Sequence, residues 1–289
     1  MHNYLNKKEQ TLVMKLAFSS NAYTNFSLID SIVDTAKIGY KGIEIMCDRP
    51  HAFPLPLDPQ KIIEIKNELT NNNIQISNLN AFTLFGICDT YHPSWIEENS
   101  DCRKIRIVHT IECIKLANQL GAKNISIEPG GPMRNPNSRE KYLNIFIEGI
   151  REVLPIAEKY KVKILVEPEP GLLLENSNDF IEFIKNFDSE YIGLNFDIGH
   201  FVCVNEDPSQ LVFDLENYIH HFHLADIKNR IHNHLIPGLG SINFKKVINS
   251  IKEIGFDGFI TVELYPYKDN PSQASSKSFK YLNEILRIN

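Results

Sequence analysis

The feature that most restricts what this chain can fold into is its alternation between two hydrophobic periods. Eight short apolar runs of about four to seven residues recur along it: Lys15–Phe18, Gly42–Met46, Ile74–Asn80, Asn124–Glu128, Lys163–Glu167, Tyr191–Asp197, Tyr218–Leu224 and Phe259–Leu264. That length suits strands buried on both faces of a parallel sheet. Longer stretches lie between and after them, with apolar residues three and four positions apart. Ile107, Ile111 and Ile114 mark one, and Ile150, Val153, Leu154 and Ala157 another. Strand–helix alternation repeated eight times predicts an α/β chain closed into a (β/α)8 barrel, and 289 residues are enough for one. A doubly wound Rossmann-like sheet is the alternative, weakened because no GxGxxG follows any strand. Residues 14–289 are expected to form a single barrel domain. Residues 1–13 read as an N-terminal tail, with Met14 an alternative start.

The punctuation fits this reading. Gly39, Gly121 and Gly255 each stand just past a helical stretch and shortly before a strand, where a left-handed residue is favoured. The longer connections, Cys47–Pro59, Ala81–Asp101 and Leu224–Ile242, all follow strands. They therefore fall on the C-terminal face, where barrels keep their active sites. No run is long and apolar enough for a membrane span, and the first residues lack the apolar centre of a signal peptide. The five cysteines are widely spaced with no CxxC, so reduced thiols in a cytoplasmic protein are the plain reading. A net charge of −6 argues against a dedicated nucleic-acid binder.

The chemistry concentrates at the ends of the strands. His220–Gly240 holds five of the ten histidines, and neutral imidazole is the commonest protein metal ligand. Strand four ends in Glu128, strand five in Glu167 and then Glu169, and strand six in Asp197 followed by His200. Strand seven carries His223 and then Asp226, and strand eight Glu263. Closing the barrel would bring these ends into one ring. Several carboxylates buried together without a cation are very costly, and a divalent metal removes that conflict. Each acid taken singly reads equally well as a helix or turn cap, Glu169 and Asp226 especially. Capping does not explain why Glu167, Asp197, His223 and Glu263 stand at the mouth ends of four different strands.

The motifs GIEI, EPGG, VEPEPG, FDIGH, HFHLADIKNR, PGLG and the closing VEL together resemble the sugar phosphate isomerase/epimerase superfamily. These are the xylose isomerase-like TIM barrels, which include the endonuclease IV type of nuclease. The resemblance runs from about Met14 to the C-terminus. It implies one divalent ion, manganese, magnesium, cobalt or zinc, held by Glu167, Asp197, His223 and Glu263. It also implies that His200 contacts substrate or a second metal. Glu169 stands where xylose isomerase has its catalytic lysine, which argues against that enzyme's route. His232 and His234 resemble the third-zinc segment of the nuclease branch. That branch has aspartate in place of His232, and histidines in place of Asn80 and Glu128.

Other residues carry weaker signals. Lys228 and Arg230 read as contacts for a substrate group or as solvated loop cations. His51, beside Asp48 and Arg49, reads as a mouth residue or part of a polar loop. Trp95 reads as an apolar wall over substrate or as packing. Glu169 and Asp226 are further candidate substrate contacts. His200, His232, His234 and Glu128 are candidates for a second metal or for substrate. Glu44, in mid-strand, reads as a hydrogen-bonded core acid. Gly238–Gly240 reads as a simple turn.

The expected function is a metal-dependent isomerase or epimerase of a small sugar, sugar phosphate or polyol-derived ketone, acting through an enediolate. Glu167, Glu263 and His200 would be catalytic, and a dehydratase would share the first step. The alternatives are an endonuclease IV-like phosphodiesterase and a non-catalytic metabolite-binding barrel. The expected partner is a small sugar-like molecule, with no membrane role and a homo-oligomer as an open option.

Overall fold

The computed structural model describes residues 14–56 and 58–287. The expected N-terminal tail lies outside the described residues. In chain order the strands are β1 (Lys15–Ser19), β2 (Gly42–Met46), β3 (Gln75–Asn80), β4 (Asn124–Ile127), β5 (Lys163–Val166), β6 (Ile192–Asp197), β7 (Ile219–Leu224), β8 (Asp226–Lys228), β9 (Ile231–Leu235) and β10 (Phe259–Val262). The helices are α1 (Leu28–Ile38), α2 (Pro59–Asn71), α3 (Ser100–Leu120), α4 (Arg139–Tyr160), α5 (Ser177–Ile184), α6 (Ile198–Cys203), α7 (Pro208–Asp214), α8 (Phe244–Glu253) and α9 (Pro271–Arg287). Eight strands close in the order β1-β10-β7-β6-β5-β4-β3-β2, every neighbouring pair parallel. Each of the eight apolar runs lies on one of these strands. The register Lys15↔Phe259 to Phe18↔Val262 joins first strand to last, which an open Rossmann-like sheet would not do.

Local chemistry sets the element ends. Ser27 caps α1 in a reciprocal box with Asp30. Gly39 and Gly121 end α1 and α3 at φ +117° and +79°, a region costly for residues with a Cβ. The strands are buried on both sides because helices cover the outside and side chains fill the inside. Ile43, Ile125, Ile164, Leu194 and Ile260 all have no exposed surface.

Two register irregularities serve the interior. Pairing of β2 with β3 steps from Ile43↔Ile76 to Glu44↔Asn78, skipping Ser77. Pairing of β6 with β7 steps from Leu194↔Ile219 to Asn195↔His221, skipping His220. An extra residue in one strand re-aims the side chains beyond it. Here it sets Glu44 opposite Asn78 and, two residues beyond Asn195↔His221, Asp197 opposite His223. One departure from the expected alternation follows β7. The stretch after Leu224, read as a loop, contains the antiparallel hairpin β8–β9, turned through Asn229 and Arg230 at φ +57° and +58°.

Candidate metal centre

The C-terminal strand ends bring Glu167, Asp197, His223 and Glu263 together. One donor atom from each lies within 4.8 Å of every other. All four residues are buried. Each carboxylate has one oxygen tied to an uncharged donor. Glu167 Oε2 accepts from Asn195 Nδ2 at 2.8 Å. Asp197 Oδ1 accepts from the His200 backbone N–H at 2.9 Å, as an N-cap to α6. Glu263 Oε1 accepts from Asn21 Nδ2 at 2.7 Å and Asn80 Nδ2 at 3.2 Å. The other oxygens turn to the common centre. Glu167 Oε1 lies 2.8 Å and Glu263 Oε2 3.4 Å from His223 Nδ1. Asp197 Oδ2 is buried with no hydrogen-bond partner. A buried carboxylate oxygen without a partner is expensive. Three oxygens and one imidazole nitrogen at this spacing, one of them orphaned, are a donor set that fits a divalent ion.

The charges show the same strain. Burial pushes the Glu167 carboxyl up to about 8, against the pull of His223 and with the help of Glu263 and Asp197. Burial also raises Asp197, against His234 and His223. Glu263 is held near 2, because the attraction of His223 and His234 outweighs burial. His223 sits well above the usual imidazole range, since Glu167, Glu44 and Glu263 overcome the cost of burying its charge. The cluster thus holds carboxyls of opposite tendency a few ångströms apart, as catalytic carboxyl pairs do.

A second group of nitrogens converges above it. His232 Nε2 lies 2.9 Å from His200 Nε2 and 2.7 Å from His234 Nε2. His200 Nδ1 donates to the Pro168 carbonyl (2.8 Å) and His234 Nδ1 to the Glu263 carbonyl (3.1 Å). In neutral rings both Nε2 lone pairs therefore face His232, whose one Nε2–H cannot fully serve both. Burial first, and neighbouring histidines next, pull His200 and His232 down to about 3, so neither gains a proton near neutrality.

The sequence profile of the xylose isomerase-like TIM barrels matches residues 32–285. The chain belongs to this family. It is 28% identical to the uncharacterised protein MJ1311 of Methanocaldococcus jannaschii over 292 residues, covering 98% of this chain and 92% of the other. It is 23% identical to inosose dehydratase of Salmonella typhimurium over 273 residues, covering 88% and 87%. The solved structure of a D-tagatose 3-epimerase-like protein superposes with a TM-score of 0.82 at 27% identity, covering 95% of this chain and 98% of that one.

In this xylose isomerase-like barrel the four-group cluster borders a cavity of about 320 Å³. Glu167, Glu263, His200, His232, His234 and Glu169 line it. Glu169 accepts from Tyr91 Oη at 2.6 Å, and burial raises its carboxyl to about 7. Six other expected contacts lie elsewhere. Lys228 and Arg230 are exposed at the tip of the β8–β9 hairpin, and neither lines the cavity. His51 is buried against Ser20 Oγ (3.1 Å) and the Tyr23 and Phe26 carbonyls, holding the loop after β1. Trp95 is 1% exposed and packs on Phe146 at 5.7 Å between ring centroids, so it is core rather than wall. Asp226 accepts from the backbone N–H groups of Ile227, Gly238, Gly240 and Ile242 at 2.8–3.0 Å. It clamps the PGLG turn and has no capacity left for substrate. Glu128 faces buried Arg106 at 3.5 Å and the Trp95 N–H at 3.3 Å, apart from the histidines.

Much of the cavity wall gave no sequence signal. Asn21 and Tyr265 reach it from short 3-10 turns, and Tyr91 and Lys268 from irregular segments, where no long periodicity marks orientation. Among the described residues, no helix is long and apolar enough to cross a membrane.

Proposed function

We propose that the protein is a divalent-cation-dependent isomerase or epimerase of a small polyhydroxylated ketone, a dehydration being open to the same first step. The observation that carries this reading is the four-donor cluster on the wall of a cavity of about 320 Å³, roomy enough for a monosaccharide-sized ketone. Glu167, Asp197, His223 and Glu263 would hold the ion. When bound it would act as a Lewis acid on the ketone oxygen, making the neighbouring C–H more acidic.

The chain's own groups supply the rest. Asn21 and Asn80 fix the Glu263 carboxylate through Oε1. That carboxylate, on the cavity wall, would take the proton from the carbon beside the carbonyl. Glu167 enters from β5, three strands round the barrel from β10, and can return a proton from another side. Glu169, steadied by Tyr91, offers an acceptor to a substrate hydroxyl. The names of the relatives, an inosose dehydratase and a D-tagatose 3-epimerase-like protein, support this class of ketone. A phosphodiesterase is disfavoured by the lining, in which three glutamates meet a single lysine, Lys268.

A second cation seat at His200, His232 and His234 is part of the proposal. The convergence of their three Nε2 atoms within hydrogen-bond distance of His232 favours it.

The test is exchange of the hydrogen beside the ketone in deuterated buffer, followed by NMR. The protein is loaded with manganese or zinc and offered D-tagatose, other unphosphorylated ketohexoses and an inosose. At least one should exchange, and E263Q should lower that rate by roughly 10²–10⁴-fold, the usual contribution of a general base. No exchange with any ketone, together with metal-dependent cutting of abasic DNA, would overturn the reading.

A further inference from the structure

A second polar layer lies beneath the four-group cluster, centred on Glu44. This side chain has no exposed surface and sits at the register step between β2 and β3. Its Oε1 accepts from Ser19 Oγ at 2.7 Å and Asn80 Nδ2 at 3.3 Å. Its Oε2 accepts from Asn78 Nδ2 at 2.8 Å and His223 Nε2 at 2.7 Å. His221 Nε2 lies 3.6 Å away.

Two roles compete for this group. Glu44, His221 and His223 also have donor atoms within 4.8 Å of one another, so they could form a cation seat of their own. The neighbours decide against it. Asn78 and Asn80 both turn amide N–H groups toward the carboxylate, and a cation there would meet those hydrogens. His223 presents Nδ1 to the upper cluster, so binding a second ion through Nε2 would strip the ring of both protons. A carboxylate ringed by donors is an anchor for those donors.

We propose that Glu44 is the positioning residue of the metal centre. Its carboxylate holds the His223 Nε2–H, which fixes the ring and leaves Nδ1 as the atom offered to the ion beside Glu167, Asp197 and Glu263. A metal-binding histidine whose other nitrogen donates to a carboxylate is oriented and made a better donor. Asn80 ties the layers together, because its single Nδ2 serves both Glu44 Oε1 and Glu263 Oε1. The inference rests on the cation reading of the four-group cluster.

The test uses E44Q, which keeps the shape and one acceptor oxygen and removes the charge. Zinc affinity is measured by competition with a chromophoric chelator, on protein whose fold is checked by circular dichroism. E44Q should bind zinc about ten- to a hundredfold more weakly, the usual cost of losing such a partner. Zinc-loaded wild type should show a slowly exchanging, downfield Nε2–H resonance for His223 by NMR, and E44Q should lose it. E44D restores the charge one methylene further back and should recover part of the affinity. It also carries the test if E44Q does not fold, with affinity several-fold below wild type. Wild-type zinc affinity in the folded variant, or an unchanged resonance, overturns the role of Glu44 alone. Zinc binding in D197N equal to wild type, or none in wild type, overturns the cation reading and this inference with it.

Discussion

An ion entering the four-group cluster has to displace a proton, and the geometry says how many. His223 Nδ1 and Glu167 Oε1 are 2.8 Å apart, a separation that requires a hydrogen between them. Glu167 Oε2 already faces the Asn195 amide at 2.8 Å, so that oxygen is no place for another proton. His223 Nε2 keeps its own hydrogen on Glu44. One proton, shared by ring and carboxyl, therefore occupies the position where a bond from Nδ1 to the ion would form. Both partners hold it firmly. His223 lies well above the imidazole range because its carboxylate neighbours outweigh burial, and burial lifts Glu167 to about 8. Manganese binding at pH 7 should thus release about one proton per ion. Affinity should rise about tenfold per pH unit, or ~1.4 kcal/mol, until the shared proton is lost. The sign follows because the ion competes with the proton, so a higher pH favours the ion. Calorimetry in buffers of different ionisation enthalpy reads the count directly, as the slope of apparent enthalpy against buffer enthalpy. A slope near zero at pH 7 would refute the shared proton. A slope near two would require separate protons on ring and carboxyl, and would refute the single-proton geometry.

Two further outcomes are expected. His109, on the buried face of α3 with Nε2 on the Cys47 carbonyl, is pulled down to about 4 by burial and by Arg106. Its folded value lies below its unfolded one, so its contribution is complete above pH 6.5 and is lost as pH falls through 4. The loss amounts to about 3 kcal/mol at most, and urea melts at pH 7, 5 and 4 should show a shallower decline in H109Q. For the histidine trio, H232A should lower the number of zinc ions retained after gel filtration from two to one. An unchanged count of one in both proteins would remove the second seat while leaving the first intact.

The barrel and the four-group cluster were legible in the sequence for one physical reason. Strand periodicity fixes which residue ends each strand, and barrel closure fixes where those ends meet. Those rules put Glu167, Asp197, His223 and Glu263 on one ring together with Glu128, and the resemblance to the xylose isomerase-like barrels singled out the four that meet at one centre. The cavity wall had no such rule behind it. Tyr91 reaches Glu169 from the connection between β3 and α3, which is held in part by buried Arg106 donating to the Pro93, Phe82 and Tyr91 carbonyls. Nothing in the period of a sequence announces such an anchor. Trp95 misled because a lone tryptophan in a long loop looks like a lid, whereas here it fills the space left by Gly149 and Phe146.

The hairpin β8–β9 is where the chain departs from its repeat, and it also accounts for both the misplaced cations and the histidine trio. Asn229 and Arg230 make the turn, so Lys228 and Arg230 are carried outward at its tip. Two residues apart on β9, His232 and His234 share a face, as alternate strand residues must, and that face turns toward His200. Asp226, at the first position of β8, binds the backbone of Gly238, Gly240 and Ile242 and returns the chain to α8. Read as an irregular loop, the five histidines between His220 and His234 form one cluster. Folded, they divide by strand parity: His221 and His223 point into the barrel beside Glu44, and His232 and His234 close over the cavity from a second, two-stranded sheet. The apparent single motif is therefore two sets of donors from different sheets, linked by Glu263, whose backbone carbonyl accepts from His234 while its carboxylate faces His223.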